Sequence, residues 1–281
     1  MPETDENASD GRRSADSHPG VEEITVRTQQ GNPVAVRNKV IGGPVPLICI
    51  PVMAAARADL LDQATAMRAQ QPDLLEWRVD AYAGINDLAD CLATLAALRA
   101  AIGDIPLIFT CRSDAEGGLQ SISTASRLAL ITAAIRSGAV DIVDIELMND
   151  AGFIDAVRST AGDHGVKLIF SYHDFEKTPA EAVIVDTLAR AQSMGADIAK
   201  VAVMPTGYAD VLALLQATLT ARTKTVSIPL ITISMAHEGV ISRLAGGLFG
   251  SAVTFAAGPT VSAPGQIPIG DLRQAMSLLY P

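Results

Sequence analysis

The sequence predicts a (β/α)8 TIM barrel, and three observations carry the prediction. From about residue 45 onward, short β-branched runs alternate with longer Ala/Leu-rich stretches of helical period, which is the pattern of a parallel sheet with crossover helices. Eight such runs occur, each followed by a helical stretch. The chain has 281 residues, 49% of them hydrophobic, and this suits one barrel of about 250 residues with a tail.

The expected strands are 46–53, 74–80, 106–112, 141–147, 167–173, 197–204, 229–235 and 251–256. The expected helices are 56–70, 86–101, 123–137, 150–163, 179–194, 207–222, 239–246 and 269–280. Ahead of them, residues 24–40 carry two β-prone runs around Gln-Gln-Gly-Asn-Pro (29–33), a hairpin signal placed to cap the barrel floor. Residues 1–22 are polar, small and acidic without periodicity, so they are expected to form a disordered tail. That leaves 23–281 as a single catalytic domain. An open doubly wound sheet is the structural alternative, because periodicity does not distinguish closure from opening. No G-x-G-x-x-G follows the first strand, which disfavours its dinucleotide-binding version.

A formal net charge of −10 makes broad adhesion to nucleic acid or anionic lipid unfavourable. A small-molecule substrate is the better fit, and any anion site must show as a few placed cations. Cys49, Cys91 and Cys111 are odd in number and widely spaced, which signals neither a disulfide framework nor a zinc cage. No segment approaches the roughly 20 apolar residues of a membrane span, and the first twenty residues lack a secretory apolar core. A cytoplasmic protein is expected.

In a barrel, catalytic groups come from the C-terminal ends of strands. The second expected strand ends in Glu76, Arg78 and Asp80, which period-two geometry puts on one face. The third ends in Arg112, and the fourth carries Asp144 and Glu146 two apart. Asp80, Asp144 and Glu146 read as supporting or structural groups. The sixth strand presents Ile198, Lys200, Ala202 and Met204 on one side, a lone lysine among apolar neighbours. An edge position or an ion pair with Glu146 or Glu76 is the competing reading of Lys200. With Arg78, Arg112 and His173 at the same mouth, burial and nearby cations would instead favour a neutral, nucleophilic amine. His173 ends the strand beside the lysine strand and is suited to take and give a proton near neutrality. It has no second histidine at ligand spacing, so no metal is expected.

Six strings add to this: EWRVD (76–80), TCRS (110–113) with EGG (116–118), SYHDFEKTP (171–179), ADIAKVAVMP (196–205), SMAHEGVISRLAGGLFGSAVTFA (234–256) and SAPGQI (262–267). Together and in order, they resemble type I 3-dehydroquinate dehydratase from about residue 45 to the C-terminus. The resemblance implies dehydration of 3-dehydroquinate to 3-dehydroshikimate in the shikimate route to aromatic amino acids, with no cofactor and as a homodimer. It implies Lys200 as the Schiff-base lysine, His173 as the general base and Glu116 as the carboxylate that orients that histidine. Arg243 matches the clamp for the substrate carboxylate, and Ser262 and Gln266 match a loop folding over the substrate. Glu76, Arg78 and Arg112 match residues that hold the ring hydroxyls, and Met204 matches an apolar wall. Two other functions compete: a class I Schiff-base aldolase, for which Gly246, Gly247 and Gly250 offer only a weak phosphate cradle, and a non-catalytic barrel binding module.

Overall fold

The structure, a computed structural model, describes residues 31–258 and 262–280. The expected tail and the first run of the expected hairpin lie outside the described residues. Eight parallel strands follow a two-stranded hairpin. The hairpin is β1 (Val34–Val36) and β2 (Lys39–Ile41); the barrel strands are β3 (Leu47–Val52), β4 (Leu74–Arg78), β5 (Leu107–Thr110), β6 (Ile142–Glu146), β7 (Lys167–Asp174), β8 (Ile198–Val203), β9 (Leu230–Ser234) and β10 (Val253–Phe255). Between and after them run α1 (Arg57–Ala69), α2 (Leu88–Ile102), α3 (Thr124–Arg136), α4 (Ala151–His164), α5 (Glu181–Ser193), α6 (Tyr208–Thr220), α7 (Val240–Phe249) and α8 (Ile269–Leu279).

The strands pair in chain order from β3 to β9, and β10 pairs with β3. Closure is completed between Leu230 and Ser251, where the Ala252 N–H donates to the Leu230 carbonyl at 2.6 Å. Closure rather than an open sheet follows from the strands' composition. Each contributes one apolar side chain to a staggered ring in the interior cluster: Cys49, Leu74, Ile108, Ile142, Ile169, Ile198, Ile231 and Val253, all fully buried. An open sheet would leave its edge members exposed to water; the ring covers all eight.

Helix starts are set locally. Asp87, Ser123 and Asp150 accept the Asp90, Ser126 and Phe153 amides at the N-termini of α2, α3 and α4. The outer layer packs apolar helix faces on the outward-facing residues of the strands, with Trp77, Phe109 and Phe170 among the largest buried side chains.

The expected turn at 29–33 and the run before it begin outside the described residues. The described hairpin reverses at Arg37 and Asn38, between Val36 and Lys39. The parity of the apolar residues explains this, because Val34, Val36 and Ile41 all join the interior cluster that the ring of eight begins. Arg37, with φ +50°, then reaches Asp141 at 2.6 Å and Asp104 at 3.2 Å, tying the turn to the barrel. The hairpin therefore plugs the floor of the barrel.

The second barrel strand also stops earlier than expected. It ends at Arg78, and Val79–Ala81 form a 3-10 turn. Asp80 is drawn out of the strand by two bonds of 2.8 Å from Arg78 and by the Leu119 amide at 3.1 Å. One stability prediction follows from the ring: Ile169→Ala should lower unfolding free energy by about 2–5 kcal/mol, measured by chemical denaturation. A change below about 1 kcal/mol would show that the layer is not packed as described.

Candidate active site

Above the apolar ring, the same strands turn polar. Glu76 on β4, Thr110 on β5, Asp144 on β6, Ser171 on β7 and Lys200 on β8 form the next interior layer, all buried. Their bonds are mutual: Thr110 Oγ1 donates to Glu76 at 2.7 Å, Ser171 Oγ donates to Asp144 at 2.6 Å, and Lys200 Nζ donates to Asp144 Oδ2 at 2.8 Å. Arg112, just past β5, donates to Glu146 at 3.0 Å, Ser171 at 2.8 Å and Asp144 at 2.8 Å.

A cavity opens over this layer at the C-terminal mouth. Nine of the ten residues singled out from the sequence line it: Glu76, Arg78, Arg112, Glu116, His173, Lys200, Arg243, Ser262 and Gln266. The tenth, Met204, does not. It lies one residue past β8, where its amide donates to the Asp174 carbonyl at 2.9 Å, and it packs half-buried on the interior cluster. The apolar walls are instead Phe175, Ala202, Ile233, Met235 and Phe255. The Phe255 ring lies under the amine, 4.7 Å from Nζ to the centroid.

The surroundings of Lys200 are mixed, whereas the sequence suggested a cationic one. Asp144 bonds the amine and Glu76 stands 4.0 Å away. Burial alone would raise the Asp144 carboxyl, but Arg112 and then Lys200 hold it far below the usual carboxylate range. The cationic influence falls on His173. Burial, reinforced by Arg112 and Lys200, pushes its imidazole well below the ordinary value, so the ring is neutral at neutral pH.

Glu116 fixes that ring. It sits in a 3-10 turn, Asp114–Glu116, ended by Gly117 at φ +84°, where a Cβ would strike the Phe175 ring at 2.6 Å. Its Oε2 accepts both the His173 amide at 2.9 Å and Nδ1 at 3.0 Å. With Nδ1 carrying the proton, Nε2 is left with a lone pair for the cavity. Burial pushes the Glu116 carboxyl up to about 7, with Arg112 opposing the rise. Phe175 stacks on the imidazole with centroids 6.3 Å apart.

Arg78 is neutralised bidentately by Asp80. Arg243, on α7, is not. Among the described residues no carboxylate pairs with it; its Nη2 donates to the Pro264 carbonyl at 2.9 Å, Nη1 to the Phe255 carbonyl at 3.3 Å, and its buried Nε has no partner. Burial pulls its guanidinium down to about 10, which leaves it charged. Pro264 belongs to the loop that ends the cavity. There Ser262 and Gln266 bond reciprocally at 3.0 and 2.9 Å, and Gly265 at φ +78° runs against the Ala236 carbonyl, where a Cβ would sit at 2.0 Å.

The chain matches the type I 3-dehydroquinase family over residues 48–281. It belongs to that family. It is similar to the 3-dehydroquinate dehydratase of Bacillus licheniformis, 47% identical over 247 residues, covering 88% of this chain and 97% of the relative. Among solved structures it is similar to 3-dehydroquinate dehydratase from Geobacillus kaustophilus, with a TM-score of 0.86 and 47% identity over 88% of this chain and 96% of that one. It is also similar to type I 3-dehydroquinate dehydratase from Clostridium difficile with covalently modified comenic acid, with a TM-score of 0.87 and 42% identity over 89% and 98% of the two chains.

Within this type I 3-dehydroquinase site, Asp144 is the group whose closeness the sequence reading understated. Its alternation with Glu146 marked it as interior, but only strand register shows that it reaches the amine. A direct check of the electrostatics is the His173 ring itself. In 15N-labelled protein at a pH near its ordinary value of about 6.5, the ring should be neutral and protonated at Nδ1. An imidazolium signal there would contradict the geometry.

Proposed function

We propose that this type I 3-dehydroquinase converts 3-dehydroquinate into 3-dehydroshikimate and water, a step of aromatic amino-acid biosynthesis, through a Schiff base on Lys200. The observation that carries the reading is one cavity lined by a buried amine, a neutral imidazole and a guanidinium that pairs with no carboxylate among the described residues. Each meets a different part of the substrate: its ketone, its acidic C–H and its carboxylate.

In the proposed sequence, Arg243 takes the substrate carboxylate through parallel N–H donors, and the free Nε is the donor already available. The Lys200 ammonium sheds its proton, for which neutral His173 is the acceptor in the same cavity. The amine attacks the C3 carbonyl, and the carbinolamine hydroxyl takes the proton that His173 received and leaves as water, giving an iminium and restoring the neutral imidazole. That cation acidifies C2, and His173 Nε2 removes the C2 proton as electrons move into an enamine. The enamine expels the C1 hydroxyl, which takes the same proton from His173 and leaves as water. Hydrolysis of the conjugated iminium returns the amine and releases the product ketone.

The remaining groups have supporting roles. Glu116 holds the tautomer and shares the charge that develops on the imidazole. Glu76, Arg78 and Arg112 supply donors and acceptors for ring hydroxyls. Ser262 and Gln266 carry the closing loop, and a covered cavity keeps bulk water from the iminium. The covalent modification named for the Clostridium difficile relative supports a nucleophile in such a site. We further infer a single catalytic domain over 23–281, a homodimer, and a cytoplasmic setting, for which three buried free cysteines speak. Among the described residues no helix is long and apolar enough to cross a membrane.

Borohydride added with 3-dehydroquinate should leave one reduced adduct on the peptide containing Lys200, read by mass spectrometry. Trapping by sugar phosphates alone would favour an aldolase, and no trapping by any ketone would favour a binding module. His173→Ala should still trap while turnover falls by roughly 10²–10⁴-fold; wild-type turnover would remove its role. Arg243→Gln should weaken substrate binding by about 2–5 kcal/mol, seen mainly in KM. An unchanged KM would remove the clamp.

A further inference from the structure

Glu146 and Arg127 take no part in those steps, yet both are buried. Arg127 rises from α3, is 5% exposed and does not line the cavity. Its Nη1 donates to Glu146 Oε2 at 2.6 Å, its Nη2 donates to Asn149, and its guanidinium lies 4.7 Å over the Phe153 ring. From the other side, Glu146 Oε1 accepts Arg112 Nη1 at 3.0 Å and the Ser113 amide at 2.9 Å. Arg112 continues to Asp144, and Asp144 continues to Lys200, each at 2.8 Å. Five side chains alternate in sign from the helix layer to the amine, and none is more than 5% exposed.

In so dry a chain, each member sets the energy of the next. Glu76 also stands 4.0 Å from the amine, so three carboxylates are balanced by Lys200, Arg112 and Arg127. The other ionisable groups around the cavity are neutral His173 on β7, Glu116 and Arg78 across the mouth, and Arg243 on α7. Arg78 already belongs to Asp80. Arg127 is thus the cation that completes the balance, although it touches nothing in the cavity.

We infer that Arg127 is a positioning residue for the proposed Schiff-base chemistry: by neutralising and anchoring Glu146, it keeps Arg112 turned to Asp144, so that Asp144 divides its charge between Arg112 and the amine. Burial would push the Glu146 carboxyl up, and Arg112 and then Arg127 hold it below the ordinary range. Without Arg127 the Glu146 charge rests on Arg112 alone, and Asp144 turns more of its own charge to the amine. The ammonium gains, and an ammonium is no nucleophile.

The inference rests on the Schiff-base reading, and one experiment separates the two. The rate of borohydride-trapped adduct formation with 3-dehydroquinate is followed against pH in wild type, Arg127→Met, Glu146→Gln and the double variant. Arg127→Met leaves surplus negative charge and should move the acid limb up by about one pH unit, a roughly tenfold loss near neutrality that is recovered at higher pH. Glu146→Gln leaves surplus positive charge and should move the limb down. The double variant removes charge and partner together and should return the limb to its wild-type place. Should Arg127→Met fail to fold, the downward shift in Glu146→Gln and its cancellation in the double variant decide the matter. A loss equal at every pH, an unmoved limb, or both single variants shifting in the same direction overturns the role of Arg127. Absence of any adduct in wild type overturns the Schiff-base reading instead.

Discussion

The structure depends on burying charge in the barrel without leaving any of it uncompensated. Taking a carboxylate or guanidinium out of water costs several kcal/mol per ion, and only close, well-bonded partners return it. Asp144 meets this constraint from three sides, with Arg112, Ser171 and Lys200 all within 2.8 Å. Beneath it, the ring of eight apolar side chains separates the polar layer from the floor. The amine is therefore held by a network whose geometry is set by strand register, with no flexible surface group among its bonds.

Against that compensated background, two groups with unused chemical capacity define what the cavity does. Among the described residues Arg243 has no carboxylate, and its Nε has no acceptor. His173 is neutral because burial, Arg112 and Lys200 all oppose its charging, while Glu116 occupies the ring nitrogen turned away from the cavity. One is a cation awaiting an anion; the other is a base awaiting a proton. The rest of the polar layer is already satisfied, so it adds orientation more than affinity.

Much of this was legible along the chain. Period-two alternation put Glu76 with Arg78 and Asp144 with Glu146 on interior faces, and every barrel strand was placed to within two residues at its ends. The early stop of β4 at Arg78 escaped, since Asp80 leaves the strand for bonds to residues some 39 positions away. The hairpin turn at Arg37 and Asn38 carries no strong local signal; the chain reverses where Val34, Val36 and Ile41 can all reach the floor. Met204 has the right parity for the cavity but packs on the interior cluster one residue past β8, and Ile233, Met235 and Phe255 supply the walls.

By itself the sequence determined the elements, the inward faces, and the lysine, histidine and arginine of the site, because periodicity and strand-end chemistry are local properties. Only the tertiary structure decided which carboxylate meets the amine, that Arg243 has no carboxylate partner among the described residues, and that Arg127 joins the chain of charges from outside. Those are distances between residues dozens of positions apart, and they are set by the register of parallel strands and the docking of α3, which no local pattern records.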